Sequence, residues 1–362
     1  MPHKLEETKR KQGQARLPHK QMLWGIGTLI ALAFLFVFVN KIWRSSQDST
    51  QTNTDPDTTS QERVVRNPLT GMWLQQAVEL PQVFAVMIDN HEEARPQSGI
   101  DQAFLVIEAP VEAGIPRMIA FFDANSSVEK IGPVRSARPY FIDWNNEFDA
   151  LYAHVGGSNE ALEKIVSGGT FDLNEFSHGL SFWRASTRFA PYNTYTSTEK
   201  LNAFLFERSE AGVAPELLYE AWQFKDAESV DPSKKSSVLI DYWAPVYTVG
   251  WKFDASQGRY KRFQAEIEDK TLEGEQIVAD NVAIIVTDIS VVDAVGRRRV
   301  RTIGEGKAWV MQDGTVIEAS WKKPSASQRL RFYLGDSEIK MNAGSTWIEV
   351  VPSAYDVTFA QE

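Results

Sequence analysis

Polar and charged residues in the first half of the chain cluster where short apolar segments end. Asp89, Asn90 and His91 follow the segment VFAVMI (83–88), and His154 lies near the end of ALYAHV (150–155). Folds of alternating strands and helices bind their ligands at the carboxyl ends of the strands. We therefore predict one ligand-binding site at that position. Its candidate residues are Asp89, Asn90, Arg95, Gln97, Glu108, Arg117, Arg135, Arg138, His154, Ser158, Arg184 and Arg188.

The arginines of this set point to an anionic ligand. Guanidinium groups bind carboxylate or phosphate through two parallel hydrogen bonds. Helix starts predicted at Ser136 and Ser158 add backbone N–H groups, which also favour anions. The set as a whole predicts an anion site. For each single arginine, a structural ion pair is the alternative, and the acids available for such pairs are Asp89, Glu108, Glu112 and Asp143.

An enzyme is the alternative to a binding protein. A cell-envelope hydrolase or transferase would use Asp89, Glu108 or His154 as its acid–base group. The motif HVGGS (154–158) matches neither of the serine-nucleophile motifs G-x-S-x-G and S-x-x-K, so the catalytic residues stay unassigned. The histidines lack the spacing of a zinc site, and the chain has no cysteine. We predict neither a metal nor a cofactor.

The elements that must position these residues alternate in the first half of the chain. Apolar, β-branched and aromatic runs predict strands at 83–88, 103–109, 117–122 and 150–155. Helices are predicted at 137–148, 159–167, 198–208 and 214–224, the first three with N-cap serines at Ser136, Ser158 and Ser197. This order predicts a mixed, layered α/β domain over 67–225.

The second half is predicted to be a β-rich domain over 236–356. Strand-like runs from SVLIDYW (237–243) to TWIEVV (346–351) are separated by turn signals such as Gln312-Asp313-Gly314. Its tryptophans either form a carbohydrate-stacking face or fill the core, and core packing is the commoner use. They are Trp243, Trp251, Trp309, Trp321 and Trp347.

An uncharged apolar segment precedes both domains. The run from Met22 to Val39 is long enough to cross a bilayer, so we predict a transmembrane helix over 22–42. Basic residues concentrate before it, which places the tail 1–21 in the cytoplasm. A cleaved signal peptide is the alternative, but the apolar core is too long for one and no small-residue cleavage site follows. The polar segment 43–66 predicts a disordered extracytoplasmic linker.

The charge distribution restricts the class of partner. The net charge is −10 although residues 1–41 carry a positive excess, so the remainder of the chain is still more acidic. Nucleic acid is therefore excluded as a partner, because its binding requires fields of Lys and Arg. The predicted partner is a cell-envelope component, either peptidoglycan or an anionic polymer, or an envelope protein. The predicted location is the cell membrane, with a single span and the ectodomain outside.

Several sequence blocks together resemble a known family. They are NPLTG (67–71), MIDNHEEARPQSG (87–99), KIGPVRSARPYFIDW (130–144), HVGGS (154–158) and R-x-APYN-x-Y (188–195). They look like the signature blocks of the YerB-like family of bacterial cell-surface proteins, often lipoproteins, whose biochemical activity is unassigned. The resemblance covers nearly all of the chain from Asn67 onward and implies an extracytoplasmic mixed α/β fold with a β-rich C-terminal part.

Two positions depart from the pattern of that family. Its members commonly carry a lipidated cysteine, and here the predicted transmembrane helix stands in its place. Where the family tends to have histidine in R-x-APHN, this chain has Tyr192, which argues against a metal or base role at that position.

Overall fold

The computed structural model of the protein describes residues 65–76, 79–213, 215, 217–226 and 231–361. Strands dominate this part of the chain, and helices are few. The helices are α1 Pro139–Asn145, α2 Asn159–Gly168 and α3 Thr198–Glu210. The strands are β1 Val65–Arg66, β2 Trp73–Leu74, β3 Val83–Asp89, β4 Leu105–Pro110, β5 Pro116–Asp123, β6 Leu151–His154, β7 Asp172–Asn174, β8 Trp183–Arg184, β9 Thr194–Tyr195, β10 Ser236–Ile240, β11 Val249–Asp254, β12 Arg259–Gln264, β13 Ile267–Glu268, β14 Val278–Ala279, β15 Asn281–Val286, β16 Ile289–Val291, β17 Arg298–Val300, β18 Gly304–Gln312, β19 Thr315–Lys323, β20 Arg331–Leu334, β21 Ser337–Glu338, β22 Thr346–Val351 and β23 Val357–Gln361.

One mixed sheet runs through both halves of the chain. Its eleven strands lie in the order β21-β20-β19-β18-β15-β22-β4-β5-β3-β6-β7. The two halves meet where β22 pairs in parallel with β4, with Ile348 opposite Ile107 and Glu349 opposite Glu108. The predicted boundary near 226–235 therefore separates two stretches of chain that share a single sheet.

A second sheet covers part of one face of the first. It has the order β13-β12-β11-β10-β23, and β14 also pairs with β12. Its last strand, Val357–Gln361, lies beyond the predicted end of the β-rich domain at residue 356. β10 and β11 correspond to the predicted strand segments SVLIDYW and YTVGWKF.

Each face of the long sheet has its own hydrophobic core, because successive side chains of a strand point to opposite faces. One core holds Met87, Ile107 and Ile119 against α1, α2 and the extended segment 217–224. The other holds Val86, Val106 and Ala120 against α3 and the second sheet. Of the five tryptophans considered in the second half of the chain, four fill these cores: Trp251, Trp309, Trp321 and Trp347. Trp243 is different, with 67% of its surface exposed and a φ of 77°.

Three helix predictions are confirmed, and two of the three helices begin at the predicted N-cap serine. Ser158 and Ser197 cap α2 and α3 by accepting hydrogen bonds from Ala161 N and Lys200 N. Ser136 caps nothing, since α1 begins only at Pro139. Proline fits the first helical position because it has no N–H to leave unpaired.

The predicted helix over 214–224 is wrong for the residues described there, which are extended from 217 onward. Two aromatic side chains anchor this segment. The Tyr219 hydroxyl donates to Pro81 O at 2.8 Å, and Trp222 Nε1 donates to Leu330 O at 2.7 Å. Burying both rings outweighs the modest intrinsic helix propensity of the segment.

The predicted tail (1–21) and transmembrane helix (22–42) lie outside the described residues and stay predictions. The same holds for nearly all of the predicted linker (43–66), whose last two residues form β1 and pair with β2. None of the helices within the described ranges is long and apolar enough to cross a membrane.

Candidate functional site

The candidate site is built on a segment that lies between the carboxyl ends of β3 and β6. These strands pair only from Phe84 to Val86, and beyond that point residues 133–137 run between them. Arg135 N donates to Met87 O on one side at 2.9 Å, while Arg135 O accepts from Val155 N on the other at 3.1 Å. The crevice in which α/β folds hold ligands is thus filled by the protein's own chain. A ligand at this end of the sheet would therefore contact the side chains of residues 133–137, because the crevice itself is occupied.

Asp89 joins two of the predicted arginines at this end of the sheet. Its Oδ2 accepts a hydrogen bond of 2.6 Å from Arg135 Nε, and its Oδ1 lies 3.9 Å from Arg117 Nη2. Arg117 is buried and donates to Ser136 O at 3.1 Å. Burial lowers the pKa of Arg117, and the charges of Arg135 and Arg138 act the same way while that of Asp89 opposes them. With both arginines charged, the three side chains keep one net positive charge.

Arg135 differs from the other predicted arginines in what its terminal nitrogens contact. Among the described residues, Nη1 and Nη2 of Arg135 have no hydrogen-bond partner, and the side chain is 22% exposed. Its guanidinium lies over the ring of Tyr192, with 5.4 Å from Cζ to the ring centroid. The planar fork is thus held through Nε and left open at its outer edge.

Tyr192 and His91 extend this group of donors. Their rings stack with centroids 4.9 Å apart and planes 15° from parallel. His91 Nδ1 accepts from Glu93 N at 3.2 Å, so the neutral imidazole carries its proton on Nε2. Arg135, Tyr192 and His91 thus form one group of contacting side chains, with Tyr192 in contact with both of the others. His91 and Tyr192 were not among the residues predicted for the site.

The remaining arginines on this side of the molecule are engaged within the protein. Arg138 donates two hydrogen bonds of 2.7 Å to the carboxylate of Glu112. Although burial opposes it, the Arg138 guanidinium holds the pKa of Glu112 below its usual value. Arg184 bonds to Glu175 and Asn193.

Arg188 links the hairpin loop before β9 to the segment that follows His91. Its terminal nitrogens donate to the carbonyl oxygens of Ala94 and Pro96, the latter at 2.6 Å. Arg138 thus forms an ion pair with one of the acids named as the alternative, as Arg135 and Arg117 do with Asp89. Arg184 pairs with Glu175, which was not among those acids, and Arg188 binds backbone carbonyls.

His154 and Ser158 lie nearby, and both have structural contacts. His154 is fully buried, and its ring nitrogens contact Asp172 Oδ1 at 2.6 Å and Gly156 O at 2.7 Å. Ser158 serves as the N-cap of α2. Both ring nitrogens of His154 are thus engaged within the protein, and Ser158 Oγ accepts from the backbone of α2.

The other four predicted residues belong to a buried network on the opposite face of the sheet. Asn90 is its centre: its amide donates to Glu108 Oε1 at 2.6 Å, and its Oδ1 accepts from Arg95 Nε at 2.8 Å and from Gln97 Nε2 at 3.0 Å. Burial lowers the pKa of Arg95, and the charge of Arg262 lowers it further.

The sequence did not predict the members of this network that come from the second half of the chain. Arg262 donates to Glu108 Oε2 at 2.7 Å and also contacts Asp269. Burial opposes the charge on Arg262, yet Glu108 and Asp269 hold its pKa above the usual range. Gln264 accepts from Asn90. One signal was available: Tyr260, Arg262 and Gln264 alternate along β12 and share its buried face.

The acid–base residues of the enzyme alternative are not brought together. Asp89 and His154 point to the face that holds α1 and α2, whereas Glu108 points to the face covered by the second sheet, because alternate residues face opposite ways. All three are buried. Within the described ranges, no three His, Asp or Glu side chains come together in a way that could hold a metal ion.

Comparisons with known proteins place the chain in a family. Residues 69–212 match the N-terminal domain, and residues 238–348 the C-terminal domain, of the family described as "Protein of unknown function (DUF3048)". The protein named "Putative lipoprotein YerB" from Bacillus subtilis (strain 168) is 31% identical over 329 residues, which are 90% of this chain and 95% of that protein. The chain belongs to the YerB-like DUF3048 family.

A solved structure of the DUF3048 family has the same fold. The crystal structure of the YerB protein from Bacillus subtilis superposes with a TM-score of 0.72 at 30% identity, and the match covers 82% of this chain and 99% of that one. The predicted resemblance is therefore confirmed. All twelve predicted site residues lie within the N-terminal DUF3048 domain, whereas Arg262 and Gln264 belong to the C-terminal DUF3048 domain.

Proposed function

We propose that the protein is a membrane-associated, extracytoplasmic binding protein that holds an anionic component of the cell envelope at Arg135. The observation that carries the proposal is the open guanidinium fork of Arg135, whose Nε is fixed by Asp89 and whose two terminal nitrogens have no partner among the described residues. The name of the Bacillus subtilis relative and the apolar run from Met22 to Val39 support the membrane location.

The chemistry of the surrounding groups favours a carboxylate or phosphate. A guanidinium fork presents two parallel N–H donors at the spacing of two carboxylate or phosphate oxygens. The rings of Tyr192 and His91 stack beside Arg135, and we expect the Tyr192 hydroxyl and His91 Nε2 to supply further donors to the ligand. The positive charge left over from Arg117, Asp89 and Arg135 attracts an anion to a chain that is otherwise acidic. Peptidoglycan peptides carry carboxylates and wall polymers carry phosphates, so both offer this chemistry.

The full chain, purified in detergent, is sedimented with cell-wall sacculi to test the proposal. One sample of sacculi keeps its phosphate polymer, and in another the polymer has been removed by acid extraction. We expect the wild type to co-sediment and Arg135→Ala to lose at least about tenfold in apparent affinity, since a charge-assisted, two-point contact contributes roughly 1.5–3 kcal/mol. Retention on extracted sacculi identifies the carboxylates of the peptide as the ligand, and loss identifies the phosphate polymer.

Arg184→Ala is the matched control, because it removes the same charge from an arginine whose terminal nitrogens are both bonded within the protein. Arg135→Lys tests the fork itself, since lysine keeps the charge but offers no planar pair of donors. Equal co-sedimentation of wild type and Arg135→Ala, with both proteins folded, would refute the proposed site.

A further inference from the structure

β23 is an edge strand with one side open. It pairs with β10 only, in antiparallel register. Asp241 N donates to Asp356 O at 2.9 Å, and hydrogen-bonded and non-hydrogen-bonded pairs alternate along an antiparallel pair of strands. Thr358 and Ala360 therefore exchange hydrogen bonds with β10. The backbone N–H and C=O groups of Val357 and Phe359 point away from β10. The Val357 N–H donates to Ala354 O in the turn before the strand. Within the described ranges, the Val357 C=O and both outward groups of Phe359 have no hydrogen-bond partner.

The other edges of the two sheets are protected in ways that β23 is not. β7 has three residues and carries Asp172, β21 has two and carries Glu338, and β13 has two and carries Glu268. Short strands and charges are the usual protection against unwanted strand pairing. β23 has five residues, Val-Thr-Phe-Ala-Gln, with neither a charge nor a proline.

The side chains of Val357–Ala360 in β23 also lack charge, although Lys235 and Lys252 line a surface pocket together with Ala360. Phe359 packs inward, with its ring centroid 5.3 Å from that of Trp309. The side chains of Thr358 and Ala360 point to solvent, away from the core. Thr358 lies opposite Leu239 of β10, which is 44% exposed. The open edge itself therefore carries only small and uncharged groups at Thr358 and Ala360, as the middle of a sheet does.

We propose that β23 pairs antiparallel with β23 of a second copy of this chain, so that the two smaller sheets become one. A two-fold axis at Phe359 sets Phe359 of one copy opposite Phe359 of the other, and Val357 opposite Gln361. Both outward groups of Phe359 then meet groups of the opposite kind, and the Val357 C=O meets the Gln361 N–H, while the Val357 N–H stays bonded to Ala354 O. A second copy fits because a two-fold interface must be self-complementary, and an uncharged strand can face itself without like-charge repulsion.

The test uses the fragment 62–362, which contains every described strand and both hydrophobic cores. The two-fold axis sets Thr358 of one copy opposite Ala360 of the other. The acidic variant Thr358→Glu/Ala360→Glu therefore places like charges on both sides of the proposed interface. The basic variant Thr358→Lys/Ala360→Lys does the same with the opposite sign. By sedimentation velocity over a concentration series, we expect the wild type to form dimers and each variant to show at least about a tenfold higher dissociation constant. An equimolar mixture of the two variants should form a heterodimer.

Ser290→Glu/Ser327→Glu is the control, since it adds the same charges at exposed positions away from the edge and should dimerise like the wild type. Thermal melts verify that all variants are folded. The proposal is overturned by a wild type that stays monomeric at every concentration, by variants that dimerise as the wild type does, or by a mixture that does not form heterodimers.

Discussion

Glu108 and Glu349 lie directly opposite each other on the neighbouring parallel strands β4 and β22, and both are fully buried. Arg262 bonds to Glu108 at 2.7 Å, whereas Glu349 receives only neutral donors, Trp251 Nε1 and the Tyr242 hydroxyl, each at 2.8 Å. Burial raises the pKa of Glu349 to about 8, and the charge of Glu108 acts in the same direction. Glu349 is thus largely neutral at pH 7, beside a carboxyl group that pairs with Arg262.

The stability of the protein is expected to fall as the pH rises from about 4.5 to 8, because of Glu349. In that interval the folded protein holds a proton on Glu349 that the unfolded chain, with an ordinary pKa of 4.5, has released. Protonation of Glu349 therefore stabilises the fold below pH 4.5, and this contribution is lost as the pH approaches 8, at up to about 1.4 kcal/mol per pH unit. Glu349→Gln should flatten this dependence, and urea unfolding at pH 5 and pH 8 measures it.

Glu318→Gln is the control for this prediction, because Glu318 is exposed on β19. It should leave the difference between pH 5 and pH 8 unchanged. An identical pH dependence in wild type and Glu349→Gln would show that Glu349 titrates normally in the folded protein.

Removing Arg262 is expected to destabilise the fold strongly. Arg262→Met leaves the charges of Glu108 and Asp269 buried without their cation, which typically costs about 3–5 kcal/mol. Arg259→Met on the same strand removes a partly exposed arginine paired with Asp280 and should cost at most about 1 kcal/mol. Urea unfolding at pH 7 compares the two.

The double variant Glu108→Gln/Arg262→Met separates the lost pairing from the buried charge. If the unpaired carboxylate of Glu108 causes most of the loss, the double variant should be more stable than Arg262→Met alone. A double variant that is no more stable would show that lost packing of the arginine dominates instead.

Much of the fold could be predicted from the sequence because its strands are continuous apolar runs. All four strands predicted in the first half exist, and helices α2 and α3 begin at the serines that the capping rule indicates. The extended segment 217–224 could not be predicted, since its conformation depends on partners for Tyr219 and Trp222 that lie more than 100 residues away. Nor could the single sheet, because no local pattern reveals that β22 pairs with β4.

The candidate site was predictable only in part, for a related reason. The sequence places Asp89 and Arg135 at strand ends, and they do meet. Asp89 and Asn90 are adjacent in the chain, yet they point to opposite faces of the sheet and join different clusters. His91 and Tyr192 lie about 100 residues apart, and a stacked pair of that separation leaves no pattern in the sequence.

Two of the three predicted N-cap serines, Ser158 and Ser136, are expected to respond differently to alanine. Ser158→Ala removes the hydrogen bond that Ser158 Oγ accepts from Ala161 N and should cost about 1 kcal/mol. Ser136→Ala removes no cap, because α1 begins at Pro139, and should change the unfolding free energy by less than about 0.5 kcal/mol. Urea unfolding of both variants measures the difference, and equal losses would contradict the assigned start of α1.

Gly99 is expected to tolerate alanine much less than Gly169, although both have a left-handed backbone. Their φ angles are 72° and 67°, so alanine incurs a similar conformational cost of about 1–2 kcal/mol at each. A Cβ on Gly99 would lie 2.3 Å from Lys130 O, whereas a Cβ on Gly169 meets nothing within 4 Å. The clash at Gly99 adds roughly 1–3 kcal/mol and pushes apart the segments that carry Arg95 and Arg135. We therefore expect Gly99→Ala to lower the unfolding free energy by about 3 kcal/mol and to weaken binding to sacculi, and Gly169→Ala to leave that binding unchanged. Comparable losses of stability in the two variants would show that the backbone near Lys130 yields to the extra atom.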